Sequence, residues 1–387
     1  MSNLRICFVC QSLATLGGLQ RAVALLANEL VSRGVDVSLL MDSPDLGENP
    51  YDLSSSVRVL PIGIKGPSNA IGKFVSKIRR HSGFLKPICR EHKLGGSIIS
   101  KSSLASAHEA LGEGGFDVVV GCDPLHTIVA VYACDGLDIE VCGWQHSTYD
   151  GYFNQRGRGF YGQDRLYAFA LKACKVNLVL TEQSKDDYER NTGHSAIVLP
   201  NSIERMGLRC STENCVLYCG RLDPGSKGAD FIPRIAESLA SRGFDGEFLV
   251  VGDGPYRPVL EKWLDGSTLP YRMELKGFVT DTERYYEKAS VLISPSRWEG
   301  FGLSILEAMS HGVPCVAFEN DGPRSLICDG VDGFIVPNGD VGSLAERTMK
   351  ILGDVSLRES MGDAAANAAR DFLVDRQADR FLDALKG

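Results

Sequence analysis

The sequence predicts an α/β protein made of two doubly wound parallel sheets, each covered by helices. Three observations lead there. The chain has 387 residues, too long for one ordinary domain and suited to two of nearly equal size. Short β-rich apolar runs alternate with helix-period stretches along nearly all of it, as parallel strands buried on both faces require. The alternation breaks once, from Leu199-Pro200-Asn201-Ser202 to about Asn214, and then starts afresh. Two domains are expected, residues 1–200 and 201–387, with their ligand-bearing crevices facing each other across a cleft.

The elements follow in order. Strands are expected over residues 5–10, 35–41, 118–123, 141–146 and 176–181 of the first half. In the second half they are expected over residues 216–222, 247–252, 275–279, 291–296, 314–318 and 333–336. The opening MSNLRICFVCQSLATLGG holds a short Val- and Cys-rich run, and GGLQRAVALLANEL follows at helical period. That pattern predicts a buried strand feeding a helix rather than a signal peptide. From about residue 355 the tail reads as helix and is assigned to the second domain.

Composition excludes several classes of function. Apolar residues at 44% and charged residues at 23% give the balance of a water-soluble globular domain. A formal charge of −8 argues against nucleic acid as a partner. No run approaches the ~20 apolar residues of a membrane-spanning helix. Twelve cysteines are present. Cys7 and Cys10 lie three apart on one strand and so point to opposite faces, poorly placed to share a metal. Buried, reduced thiols are the expectation.

In doubly wound sheets, ligands collect beyond the carboxyl ends of the strands, and the unusual residues fall there. The densest signal is SPSRWEGFGLSILEAMSHGVP, residues 294–314. A strand end leads to a loop with Glu299, then Gly300 and Gly302 open a helix that contains Glu307. Bare backbone beside a helix N-terminus docks anions, while the two carboxylates suit hydroxyl donors. A nucleotide sugar offers both. The bland alternative is one helix-cap carboxylate and one surface glutamate. A second signal is CGRLDPGSKG, residues 219–228. Arg221 and Lys227 leave a strand end and a turn, placed to stabilise the charge of a departing diphosphate, or else solvated as loop cations often are. Gly17-Gly18 admits a ligand close to the first domain's backbone. His146, in WQHSTYD, reads on its own as a buried histidine satisfied by its neighbours.

Together these residues resemble the retaining family 4 glycosyltransferases, which have the GT-B fold of two Rossmann-like domains. The matching segments are GRLDPGSKG, VVGDGP, LKGFV, SRWEGFGLSILEAMSHGVP and DGVDGFIVPNGD, with GGLQRAVALLANEL and WQHSTYD in the first half. The pair Glu299…Glu307 is the family's spaced glutamate signature. The resemblance implies that Arg221 and Lys227 hold the donor diphosphate with Gly18 and the backbone of Gly300, Phe301, Gly302 and Leu303. It implies that Glu299 accepts from sugar hydroxyls, that Glu307 accepts from the ribose, and that backbone near Phe278 and Val279 meets the base. It places His146 beside the reacting sugar, making His146, Arg221, Lys227 and Glu299 the catalytic set. It implies no metal, no other cofactor, and retention by front-face attack.

The activity implied is transfer of a hexose or N-acetylhexosamine from a nucleotide diphosphate sugar, UDP-linked by expectation. The acceptor is a glycan or lipid-linked molecule of bacterial lipopolysaccharide or polysaccharide synthesis. Two departures stand out. Gln20 occupies a position where relatives often carry an acid, and the loop from Arg221 to Lys227 is one residue longer than the commonest form. Other GT-B enzymes (a sugar phosphorylase or a nucleotide-sugar epimerase) are one alternative, and the intact glutamate pair speaks against them. A silent nucleotide-sugar-binding scaffold is another, and it predicts the loss of charges that are all present.

Residues 61–101 carry nine Lys or Arg and one acid, Glu91. Ile71, Phe74, Val75 and Ile78 recur there at helical spacing among Lys73, Lys77, Arg79 and Arg80. Such a basic amphipathic helix suits an anionic membrane surface, or a core-facing helix whose basic side meets an anionic acceptor or water. The expected location is the cytoplasm, at the inner face of the cell membrane.

Overall fold

The computed structural model describes residues 4–15, 17–64, 99–155, 160–208 and 214–387. The chain divides into two compact units, 1–202 with 374–387, and 203–373. The basic amphipathic segment centred on Ile71 and Phe74 lies outside the described residues.

The first unit carries β1 (Arg5–Cys10), β2 (Asp36–Met41), β3 (Arg58–Gly63), β4 (Val118–Gly121), β5 (Glu140–Trp144), β6 (Val176–Val179) and β7 (Ala196–Val198). They form one sheet in the order β3-β2-β1-β4-β5-β6-β7, parallel at every pairing. Ile6 to Cys10 are fully buried, as a central strand flanked by helices demands. The second unit carries β8 (Cys215–Cys219), β9 (Glu247–Val251), β10 (Arg272–Gly277), β11 (Val291–Ser294), β12 (Cys315–Phe318) and β13 (Gly333–Val336). Their order is β10-β9-β8-β11-β12-β13, again all parallel. These are the two doubly wound α/β sheets expected from the sequence.

Each sheet reverses its strand order once, between β1 and β4 in the first and between β8 and β11 in the second. Crevices open at such switch points, because the helices leaving the two neighbouring strands go to opposite faces. The loops after β8 and β11 are the segments of Arg221–Lys227 and Glu299. Topology alone therefore brings the two strongest sequence signals together.

One assignment needs correction. The tail was expected to stay with the second domain, but the helix Val374–Lys386 belongs to the first unit. Val374, Ala378, Phe381, Leu382 and Leu385 recur along one face and are buried. Phe381 lies 5.9 Å from Phe8 of β1, ring centre to ring centre. Arg33 binds Asp379 at 2.5 Å and the Asp375 carbonyl at 2.6 Å, and Lys175 donates to the Leu385 carbonyl at 2.6 Å. The preceding helix, Val355–Ala369, remains in the second unit.

Ten cysteines are described, all as free thiols. Seven are buried, while Cys328 is exposed, and burial pushes Cys134 and Cys142 up to about 12. Among the described residues no group of three or more His, Cys, Asp or Glu could hold a metal ion, and no helix is long and apolar enough to cross a membrane.

Candidate active site

In the second unit, β8 ends and the chain runs through exposed Arg221 into a tight turn. Asp223 organises that turn. Its carboxylate accepts from the Gly225 amide at 2.9 Å and the Ser226 hydroxyl at 2.5 Å, and its carbonyl accepts from the Lys227 amide at 3.1 Å. Gly228 closes the turn at φ +64°, where a side chain would be strained, and a Cβ there would lie 2.0 Å from the Pro295 carbonyl oxygen. Only glycine lets the turn lie this close to the end of β11.

That proximity places Lys227 against Glu299. The ammonium donates to one carboxylate oxygen, which also accepts from the Ser296 hydroxyl at 3.3 Å. The Lys227 side chain is 31% exposed and that of Glu299 15%, so both can meet a ligand from solvent. Beyond Glu299, Gly302 takes φ +104° and starts the helix Leu303–Ser310, and no side chain caps that N-terminus. Its first amides can therefore serve an anion.

Glu307 sits on this helix and is buried. The Tyr286 hydroxyl donates to it at 2.6 Å, which fixes its orientation. The Phe301 ring is buried against Phe372 at 5.7 Å, so that residue meets the loop through its backbone. Phe278 follows β10 with its ring exposed, and Val279 is half-buried.

The first unit has its own set at the ends of β1, β4 and β5. Gly18 is the first residue of the helix Gly18–Ser32, also without a side-chain cap. The Gly17 amide donates to the Tyr51 hydroxyl at 2.6 Å, which donates back to the Gly17 carbonyl at 3.1 Å. Gln20 turns inward and donates to Gln11 at 3.2 Å and Thr15 at 3.1 Å, and Gln11 donates to Asp123 at 3.1 Å. These contacts suit an amide at position 20. An acid there would lack the N–H that Gln11 accepts and would bring a second carboxylate toward Asp123.

Asp123 caps the helix Pro124–Ala133 and pairs with His126 at 2.8 Å, while Asp42 meets the other ring nitrogen at 3.1 Å. Burial disfavours charge on His126, yet the two carboxylates outweigh it and raise its pKa to about 10. Burial likewise disfavours ionised Asp123, but His126 and the hydrogen bonds it receives bring its pKa below the usual range. His146 follows β5 with its ring 4.3 Å from that of Trp144. Burial pushes its pKa down to about 3 against the opposing pull of Asp123, so at neutral pH it is an uncharged imidazole.

In the second unit Lys227 meets Glu299 beside the helix that starts after Gly302 and carries Glu307, while in the first unit Gly18 follows β1 and His146 follows β5. Sequence reasoning missed Tyr286, Asp123 and His126. Only Asp123-Pro124-x-His126 carried a local sign, an N-cap aspartate ahead of a first-turn proline.

Two family models match the chain, one described as Glycosyltransferase Family 4 over residues 16–205 and one as Glycosyl transferases group 1 over residues 213–354. Over 165 residues the chain is 36% identical to the alpha-D-kanosaminyltransferase of Streptomyces kanamyceticus, covering 42% of each. It is 25% identical over 391 residues to a Campylobacter jejuni undecaprenol-linked alpha-1,4-N-acetyl-D-galactosaminyltransferase, covering 98% of this chain and 97% of that one. For several other curated relatives the match spans about half their length or less, between 18% and 56%. Among solved structures, Anabaena Alr3699/HepE in complex with UDP and glucose superposes with a TM-score of 0.77 at 18% identity, covering 99% of this chain and 100% of that one. That likeness shows a shared fold, with two Rossmann-like parallel-sheet domains. The chain belongs to the family 4 glycosyltransferases of the GT-B fold.

Proposed function

We propose that the protein is a retaining glycosyltransferase that moves a hexose or N-acetylhexosamine from a UDP-linked donor to a glycan or lipid-linked acceptor of bacterial surface polysaccharide, including lipopolysaccharide. The observation that carries this reading is the contact of Lys227 with Glu299 at the β8/β11 switch point. A cation and a hydroxyl-accepting carboxylate held together suit the two ends of a nucleotide sugar, the diphosphate and the hexose.

In this reading Arg221 and Lys227 stabilise the leaving diphosphate, aided by the uncapped helix at Gly302 and Leu303. Lys227 is then shared between Glu299 and phosphate, while Glu299 accepts from the donor sugar. Glu307, oriented by Tyr286, accepts from the ribose, and the backbone at Phe278 and Val279 meets the base. Gly18 offers bare backbone to a phosphate, and His146, uncharged, accepts or donates a hydrogen bond without repelling an oxocarbenium-like sugar. Glu299 is engaged by Lys227 and is a poor nucleophile, which supports front-face attack with retention. The division at residue 200, apart from the final helix, separates acceptor-side from donor-side chemistry.

Names of relatives support the substrate class, since they transfer amino sugars or act on undecaprenol-linked glycans. The reading includes work at the cytoplasmic membrane face, with residues 61–101 binding anionic lipid. The test is incubation with UDP-sugars and candidate acceptors, with release of UDP measured and the new anomeric linkage assigned by NMR. Retained configuration supports the proposal, and an inverted product overturns the stereochemical part. Flotation with no preference for anionic liposomes removes the membrane part.

A further inference from the structure

Arg297 lies inside the SRWEGFG segment but takes no part in the donor contacts proposed above. Its guanidinium meets Asp230 through two parallel hydrogen bonds of 2.6 and 2.7 Å and donates to the Pro224 carbonyl at 2.5 Å. It also lies 4.2 Å above the Phe231 ring centre. Its own amide donates to the Ser226 carbonyl at 2.8 Å, and its carbonyl accepts from Asn338 at 2.7 Å. One side chain therefore grips both ends of the turn that carries Lys227, while its backbone leads directly to Trp298 and Glu299.

By the family resemblance, this turn is one residue longer than the commonest form. Each additional ordered residue costs backbone entropy, so a longer turn needs more to hold it. A planar guanidinium supplies bidentate and stacking contacts together, which a lysine cannot. Hydrogen bonds from Arg297 hold Asp230 below the usual carboxylate range, so the pair is ionised throughout the neutral range.

We propose that Arg297 is a positioning residue for the transfer reaction, clamping the 223–228 turn through Asp230, Pro224 and Phe231 so that Lys227 is held at Glu299. The proposal rests on the transferase reading for its catalytic consequence, but the clamp itself can be measured without turnover. Arg297→Ala removes the guanidinium and keeps the backbone bond to Ser226. Hydrogen exchange of a peptide covering residues 223–231 is expected to quicken at least tenfold in this variant, with other second-unit peptides unchanged. Unchanged exchange in that peptide overturns the clamp, whatever the enzyme does.

In the kinetic arm, Arg297→Ala is expected to lower kcat/KM for the donor 10- to 100-fold, and Arg297→Lys is expected to restore only part of it. Placed in a Lys227→Ala background, Arg297→Ala is expected to cost less than threefold more, because the clamp acts through Lys227. A full additional loss in that background, or near-normal kinetics of Arg297→Ala, overturns the positioning role. A wild-type protein that neither turns over nor binds UDP contradicts the function and with it the role, while the exchange result still reports on the clamp.

Discussion

Lys227, on the turn after β8, donates a hydrogen bond to Glu299, on the loop after β11, although 72 residues separate them in the chain. The contact exists because β8 and β11 are adjacent parallel strands and because Gly228 lets the turn close onto Pro295. Both side chains are partly exposed, so the pair adds no more than about 1 kcal/mol to stability. In the proposed function its significance lies in catalysis.

Lys227→Ala and Glu299→Ala are each expected to lower kcat by about 10²–10³, the loss seen when a charge-stabilising group is removed from a transition state. The melting temperature should stay within a few degrees of wild type. Steady-state assays alongside thermal melts check both halves, and near-normal turnover in either variant removes that residue from the mechanism.

Tyr286→Phe deletes the hydroxyl that donates to buried Glu307. A hydrogen bond to a buried charged group contributes about 1.5–3 kcal/mol, so urea denaturation should show a loss of that order. The proposed function has Glu307 accept from the ribose, so on that reading donor KM should rise several-fold with little change in kcat.

His126 and His146 shape the dependence of stability on pH in opposite senses. His126 has a folded pKa of about 10 against about 6.5 unfolded. Its contribution is complete below about pH 6.5 and is lost as pH rises toward 10. His146 has a folded pKa of about 3, so the unfolded chain binds the extra proton and stability falls as pH drops from about 6.5 toward 3. His126→Gln should flatten the alkaline limb and cost about 3–5 kcal/mol near neutrality, since it strands a buried carboxylate. His146→Asn should flatten the acid limb. Urea titrations between pH 4 and 9.5 check each slope, and a wild-type slope retained in either variant contradicts that assignment.

Phe381→Ala opens a cavity beneath the final helix, where the ring packs fully buried near Phe8. A loss of about 3–5 kcal/mol is expected, expressed in the first unit's unfolding transition and not in the second's. Chemical denaturation followed by hydrogen exchange distinguishes the two.

Much of this architecture was legible because a buried parallel strand must be apolar along its whole length, as residues 6–10 are. The two strands that escaped notice, β3 and β7, are the sheet's edges. β3 contains Pro61 and pairs with β2 through a shifted register, and β7 has three residues. Edge strands need neither continuous burial nor length, so the pattern that reveals central strands is absent. The final helix was legible as a helix, but an apolar stripe does not say which sheet it covers.

At the site, motif-bearing loops were readable because their glycines and charges are close in sequence. The partners that hold them were not. Asp42 reaches His126 across 84 positions and Arg297 reaches Asp230 across 67, and no local spacing encodes such contacts.

The most direct test of the central claim is a thermal-shift screen of UDP, GDP and ADP against wild type and Lys227→Ala. A ligand bound only by the folded state stabilises it by about 2.7 kcal/mol at a hundredfold excess over its Kd. The account predicts a clear rise with UDP in the wild type that is largely lost in Lys227→Ala. No rise with any nucleotide, or a rise undiminished by the substitution, contradicts it.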